Sequence, residues 1–265
     1  MNEFGKHNMK VSIITVCYNA EKYIEKAIQS VLDQTYKNIE YIIVDGKSAD
    51  STMRIVEKYK DRISKIISEK DSGIYEAMNK GIKTAAGDIL YFLNCDDYFC
   101  NRNTVENIVN EFKQDDNLGI VYGRINYFNK PREASLIAAQ EKEFKTKMDL
   151  IFRGICHQSI FSRKWVFERI GLFDERFRIH ADFDWILSAF NGGIKFKFIN
   201  EPIACYNYTG MSYLKRNETM IDRIKVVRKH ANLIEFGCYF MYASIRKIRD
   251  TLLEVYSSWK EIIEK

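Results

Sequence analysis

The sequence predicts an α/β fold in which a mainly parallel central sheet is covered by helices. Three observations predict it. Apolar runs alternate with stretches of helical periodicity four times within about the first 90 residues. The runs are apolar throughout instead of at every second position, the pattern of strands buried on both faces. Three of the four run ends carry an aspartate, and polar groups at the carboxyl ends of parallel strands face the crevice where such sheets bind ligands.

Taken in order, Lys10 to Tyr18 is a β-branched strand, and Asn19-Ala20 turns the chain. Glu21 to Gln34 repeats Tyr23/Ile24, Ala27/Ile28 and Val31/Leu32, the spacing of an amphipathic helix. Ile39 to Val44 is a second strand ending in Asp45-Gly46, and Thr52 to Lys60 is a helix that Asp50-Ser51 can cap. Ile63 to Ser68 is a weaker strand, Ile74 to Ala85 a helix, and Ile89 to Leu93 a fourth strand. Right-handed crossovers then bring the ends at Tyr18-Asn19, Asp45-Gly46, Ser68 to Gly73 and Asn94 to Asp97 to one edge.

Beyond this half, Thr104 to Asp115 reads as a helix and Gly119 to Tyr122 as a strand, with Arg124 to Ala139 irregular, as antiparallel strands or an insertion. His157 and Gln158 fall in or beside a strand. Arg163 to Ile170 is a short helix closed by Gly171. Asp182 stands at the mouth of a helix whose apolar face includes Phe183, Ile186, Leu187 and Phe190. Lys195 to Ile199 and Ile203 to Tyr208 read as a strand pair, followed by a turn at Thr209 to Ser212. Tyr213 to Lys265 is helical, basic and aromatic. The expected division is a catalytic domain over 1–212, with a nucleotide-binding half of about 10–100 and an acceptor half of about 101–212, and a helical extension over 213–265.

Composition limits the function. The six cysteines form no C-x-x-C pair and several sit in apolar runs, as reduced core thiols of a cytosolic protein do. Met1 to Lys10 is polar, unlike a secretion signal, and no stretch reaches the roughly 18 apolar residues of a membrane span. The net charge of +5 is concentrated late: 214–265 holds eleven Lys/Arg against seven Asp/Glu. Such a tail suits a peripheral membrane contact on the inner face of the cell membrane, or equally a dimer contact or packing on the catalytic domain. No RNA- or DNA-binding module is visible, so nucleic acid is not an expected partner.

The chemistry is focused at Asn94-Cys95-Asp96-Asp97. Adjacent carboxylates at a strand end are hard oxygen ligands for Mg²⁺ or Mn²⁺, and such ions are commonly shared with phosphates. The plain alternative is a turn in which Asp96 caps the next helix. There is no G-x-G-x-x-G after the first strand and no G-x-x-x-x-G-K-[ST], which removes the main support for dinucleotide binding and P-loop phosphoryl transfer. The Gly-rich, basic loop of sugar nucleotidyltransferases is also missing.

With these pieces in view, the sequence resembles glycosyltransferase family 2, of the bacterial capsule, exopolysaccharide and colanic-acid type. The resemblance rests on VSIITVCYNAEKYIEKAIQSVLDQTY, IEYIIVDGKSADST, SEKDSGIYEAMNKGI, GDILYFLNCDDYF, HQSIF and ADFDWIL, and spans roughly Lys10 to Ser212. It implies the GT-A fold and an inverting, metal-dependent transfer from a nucleotide-diphosphate sugar, a UDP-sugar favoured, to a glycan or lipid-linked saccharide. It implies Thr15, Tyr18 and Asn19 against the base and ribose, Asp45 accepting from the base, and Asp71 and Asn79 near the nucleotide or sugar. Asn94-Cys95-Asp96 takes the place of the family's D-x-D, with Asp96 as metal ligand and Asp97 as ligand or support. Asp182 matches the general base, with His157 and Gln158 near the sugar or acceptor and His180 a competitor as base or ligand. Two departures stand out: Asn94 for the first acid of D-x-D, and Ala181 before Asp182 where an acid is usual. Rival readings are a transferase-like subunit that has lost activity, and a sugar nucleotidyltransferase.

Overall fold

The structure is a computed structural model and describes residues 8–128, 142–207 and 216–245. Four strands, β1 (Val11–Cys17), β2 (Ile39–Asp45), β3 (Lys65–Ser68) and β4 (Ile89–Phe92), alternate with α1 (Ile24–Leu32), α2 (Thr52–Glu57) and α3 (Ile74–Thr84). All four strands run parallel, in the order β3-β2-β1-β4, with Cys17 level with Asp45 and Asp45 level with Ser68. Their carboxyl ends therefore share one edge, as the alternation requires.

The sheet is covered on both faces because its side chains alternate between two cores. On β1, Val11, Ile13 and Cys17 pack beneath α1, while Ile14 and Val16 pack beneath α3. On β4, Ile89 and Tyr91 go to the first core and Leu90 and Phe92 to the second. A strand buried on both sides has no polar face to display, which is why these runs read as unbroken apolar stretches.

The second half adds β5 (Tyr98–Phe99), α4 (Thr104–Gln114), β6 (Leu118–Phe128), α5 (Lys147–Arg153), β7 (Ile160–Arg163), α6 (Lys164–Ile170), α7 (Ala181–Asn191) and β8 (Lys195–Asn207). β7 joins antiparallel to β4 and to β6, β8 runs parallel to β6, and β5 joins antiparallel to β8, completing an eight-stranded mixed sheet. Three differences from expectation appear. β5 is new: two residues are too short to show periodicity, and the strand exists through its pairing with β8. The expected strand pair at 195–208 is one strand, β8, because residues 200–202 continue along β6 through a register shift instead of turning back. Arg124 to Phe128 extends β6, and the rest of the irregular segment lies outside the described residues, as do the turn at 209–212 and the chain from 246.

Two helices follow, α8 (Arg216–His230) and α9 (233–245). Val226 and Val227 of α8 are fully buried in the second core. Asp184 of α7 binds both Lys229 and His230, so α8 is tied to the catalytic unit at its carboxyl end. Among the described residues, no helix is long and apolar enough to cross a membrane. The core-thiol expectation fits Cys17, which is buried, and fails for Cys238, which is exposed on the outer side of α9.

Candidate active site

The site lies where β4, α3, α7 and the turn before β7 converge. β4 delivers Asn94, Asp96 and Asp97 just past its end. Asp97 N–H donates to the Asn94 carbonyl at 3.1 Å, closing a tight turn. That turn separates the two carboxylates. Asp97 points inward and is 1% exposed; one oxygen accepts from Asn207 N–H at 2.8 Å and the other from Gln158 Nε2 at 3.0 Å. Burial, with Asp96 beside it, raises the Asp97 carboxyl well above the usual carboxylate range. Asp96 is half-buried and its carboxylate has no side-chain partner among the described residues; burial raises it too, and the nearby His157 pulls it back.

The opposite wall comes from α7. Its first turn carries Asp182, whose Oδ1 accepts from Phe183 N–H at 2.8 Å and from the Tyr75 hydroxyl at 2.9 Å. Oδ2 lies 2.9 Å from His157 Nδ1, and His157 Nε2 lies 3.3 Å from Asn94 Oδ1. Asn94, His157 and Asp182 thus form one connected chain, from the end of β4 to the mouth of α7. Burial raises the Asp182 carboxyl, but the His157 ring and the Tyr75 hydroxyl outweigh it, and Asp182 titrates below the ordinary carboxylate range. Beneath this chain is a small, mainly apolar cavity lined by Phe92, Phe167, Phe173 and Trp185, a setting that strengthens charge interactions. At 15% exposure the Asp182 side chain is still reachable from outside. Asp184, two residues along the helix, faces α8 instead, as the turn of a helix demands.

Residues 12–169 match the sequence profile of Glycosyl transferase family 2. This chain belongs to glycosyltransferase family 2. It is 29% identical over 217 residues to a PGL/p-HBAD biosynthesis glycosyltransferase of Mycobacterium bovis, covering 80% of each chain. It is 32% identical over 202 residues to the chondroitin synthase of Escherichia coli, covering 74% of this chain and 28% of the synthase. In fold it is similar to S. aureus TarS residues 1–349, solved in complex with UDP-GlcNAc, with a TM-score of 0.69 at 21% identity, over 86% of this chain and 66% of TarS. It is also similar to the mannosyltransferase PcManGT of Pyrobaculum calidifontis, solved in complex with GDP-Man and Mn2+, with a TM-score of 0.66 at 18% identity, over 84% of this chain and 65% of that one. The chain thus spans just under two thirds of those two solved chains. The expected GT-A fold is the fold of these neighbours.

The remaining residues that the family 2 resemblance singles out divide into open and closed ones. Tyr18 is 64% exposed past the end of β1, and Asn19 takes a left-handed turn at φ 49°, its side chain accepting from Ala49 N–H. A Cβ placed on Gly46 would meet Asp71 Oδ2 at 2.6 Å and Tyr18 Cδ2 at 3.3 Å, so Tyr18 and Asp71 meet over this glycine. Burial raises the Asp71 carboxyl above the usual range.

Thr15, Asp45 and Asn79 are closed. Thr15 is fully buried and accepts from the Tyr41 hydroxyl. Asp45 is fully buried, its oxygens taken by the Ser48 amide and hydroxyl and by Ser68 Oγ at 2.7 Å. Asn79 clamps the 173–175 loop, accepting from Phe173 N–H and donating to its carbonyl and to Glu175. His180 stands at the N-cap position of α7 without a side-chain cap bond and makes no hydrogen bond to Asn94, His157 or Asp182; burial and the charge of Arg223 lower it to about 4, and its buried Nε2 has no partner among the described residues.

Sequence reasoning missed Tyr75 and Gly46. Both lie inside segments that carried the family resemblance. Tyr75 is four residues before Asn79 on α3 and so shares its face, but its partner Asp182 lies 107 residues away in the chain.

Proposed function

We propose that this protein moves a sugar from a nucleotide-diphosphate sugar, a UDP-sugar favoured, to a hydroxyl of a glycan or lipid-linked saccharide with inversion at the anomeric carbon. The observation that carries the reading is the Asn94–His157–Asp182 chain: a carboxylate held in its ionised form at the rim of the strand-end crevice, in a family 2 chain. Tyr18 and Asp71 would lie along the nucleotide. Asp45, with Ser48 on it, orders the loop between them, and would meet a base only by exchanging the Ser48 contact.

Among the described residues no three His, Cys, Asp or Glu side chains gather around a cation position, so Asp96, whose carboxylate has no side-chain partner there, would be the chain's one direct ligand to a divalent cation, Mn²⁺ or Mg²⁺, with the donor's phosphates completing the shell. Asp97, with both oxygens engaged, supports it. Such an ion would neutralise the departing diphosphate as a Lewis acid. The chain's own part is proton transfer and positioning. An acceptor hydroxyl at the rim hydrogen-bonds to Asp182, which takes its proton as the oxygen attacks the anomeric carbon from the side opposite the diphosphate. His157, Tyr75 and the Phe183 amide take three of the four lone-pair directions of the Asp182 carboxylate, so that one, on Oδ2, remains for that hydroxyl. The site of action we propose is cytoplasmic.

The test is to incubate the protein with UDP-, GDP-, dTDP- and CDP-sugars and measure nucleoside diphosphate release. Release from one donor class, lost in Asp182→Asn, is expected. Pyrophosphate formed from a nucleoside triphosphate and a sugar phosphate would instead assign a nucleotidyltransferase, and no turnover of any donor would assign an inactive subunit.

A further inference from the structure

Helix α9 presents an apolar face that no other described residue covers. Leu233 and Ile234 are 92% and 79% exposed, and Met241 and Ile245 are each 61% exposed. The single charged residue of the helix, Glu235, is turned aside to Lys147 at 2.8 Å. The inner face is accounted for, since Tyr239 is buried and Phe236 and Ala243 pack on the second core. A helix that is apolar on its outer side as well calls for a covering partner.

The spacing says what that partner is. Ile234, Cys238, Met241 and Ile245 follow at steps of four, three and four, and all four are exposed. On a helix they fall within about 60° of one another, a single narrow stripe. The sequence continues the same alternation through Ile248, Leu252, Val255, Trp259 and Ile262. None of the nine charged residues after 245 takes a stripe position in the sequence: on a heptad, Arg246, Lys247, Asp250, Glu254, Lys260, Glu261 and Glu264 would fall on the three outward places, and Arg249 and Lys265 on the places that flank the stripe. A repeat of 3.5 residues sustained over four heptads is the pattern of helices that pack against each other along a seam. A lipid surface suits the pattern less well, because 246–265 carries five Lys/Arg against four Asp/Glu, a nearly neutral balance where an anionic bilayer selects a basic excess.

We propose that the outer face of α9 is one side of a homotypic coiled-coil seam, covered by the same stripe of a second copy of this chain. The seam starts on the catalytic unit, where the back of α9 is packed down, so it would join two catalytic units rigidly. This assignment stands on α9 and the sequence that follows it, and is independent of the sugar-transfer reading.

Sedimentation equilibrium of the full 265-residue chain tests it. A mass at a multiple of 31.2 kDa is expected. Met241→Glu/Ile245→Glu should weaken association by roughly 100-fold or more, and Ile234→Glu should act in the same direction. Phe240→Glu, also exposed but off the stripe, should leave the mass unchanged. All substituted side chains face solvent in the single chain, so thermal melting should show each variant folded. A wild-type mass of 31.2 kDa at all concentrations overturns the proposal, as does an association that the stripe variants do not weaken or that Phe240→Glu weakens equally. Flotation of a monomeric wild type with phosphatidylglycerol vesicles, lost in the double variant, would overturn it in favour of a bilayer.

Discussion

The His157 ring stands between Asp182 and Asn94, with Nδ1 2.9 Å from Asp182 Oδ2 and Nε2 3.3 Å from Asn94 Oδ1. An ionised Asp182 requires a proton on Nδ1. Nε2 is then matched by an amide in either state, because the carbonyl of Asn94 accepts from N–H and its amino group, turned over, donates to a bare nitrogen. A carboxylate at 94 would match only the protonated ring. Asn94 in place of an acid is thus consistent with a site that works through His157 and Asp182.

Asp182→Asn keeps the size and the Tyr75 and Phe183 contacts but removes the proton acceptor. The expected result is a fall in kcat of about 10²- to 10⁴-fold, with nucleotide affinity within about threefold of wild type. Steady-state kinetics paired with calorimetry checks both.

Tyr75→Phe tests how Asp182 is tuned. The hydroxyl has one proton and two acceptors, Asp182 Oδ1 and the Ile179 carbonyl. Its bond to Asp182 lowers the carboxyl, and its removal raises it. A base must be deprotonated, so the acidic limb of the kcat/KM profile sits low in wild type and should move to higher pH in the variant. The ring packing on Phe173 at 5.7 Å is kept, so Tm should change little.

His180 predicts a pH-dependent stability. Its folded value of about 4 lies below the ordinary 6.5. Between those values the unfolded chain binds more protons, so stability rises with pH there. The contribution is complete above about pH 6.5 and is lost as pH falls towards 4, on the order of 2–3 kcal/mol. Thermal melts from pH 7 to 4.5 should show a steeper loss in wild type than in His180→Gln.

Gly46→Ala probes the nucleotide crevice. The nearest atoms to the added methyl are the end of the Asp71 side chain and the Tyr18 ring, which can give way. Folding should be nearly unaffected, while nucleotide Kd rises about tenfold, or about 1.4 kcal/mol.

The sheet and its strand-end crevice were legible in the sequence because burial on both faces writes itself as unbroken apolar runs, and because Asp182 and Asp184 differ by two positions on a helix. What was not legible depends on pairing at a distance. Tyr98–Phe99 becomes β5 only against Cys205 and Ala204. The inward turn of Asp97 depends on Asn207 and Gln158, more than 60 residues away. Asp45 looked like a ligand-facing acid, but Ser48 and Ser68, a loop and a neighbouring strand, enclose it. Single residues at strand ends announce the edge they occupy, not which way the carboxylate turns.

The most direct measurement is calorimetric binding of UDP, GDP, dTDP and CDP with and without Mn²⁺, on wild type and Asp96→Ala. The account predicts that one nucleotide binds wild type at least tenfold more tightly with the ion than with a chelator, and that Asp96→Ala loses this dependence. Binding of none of the four, or an undiminished metal dependence in Asp96→Ala, would contradict it.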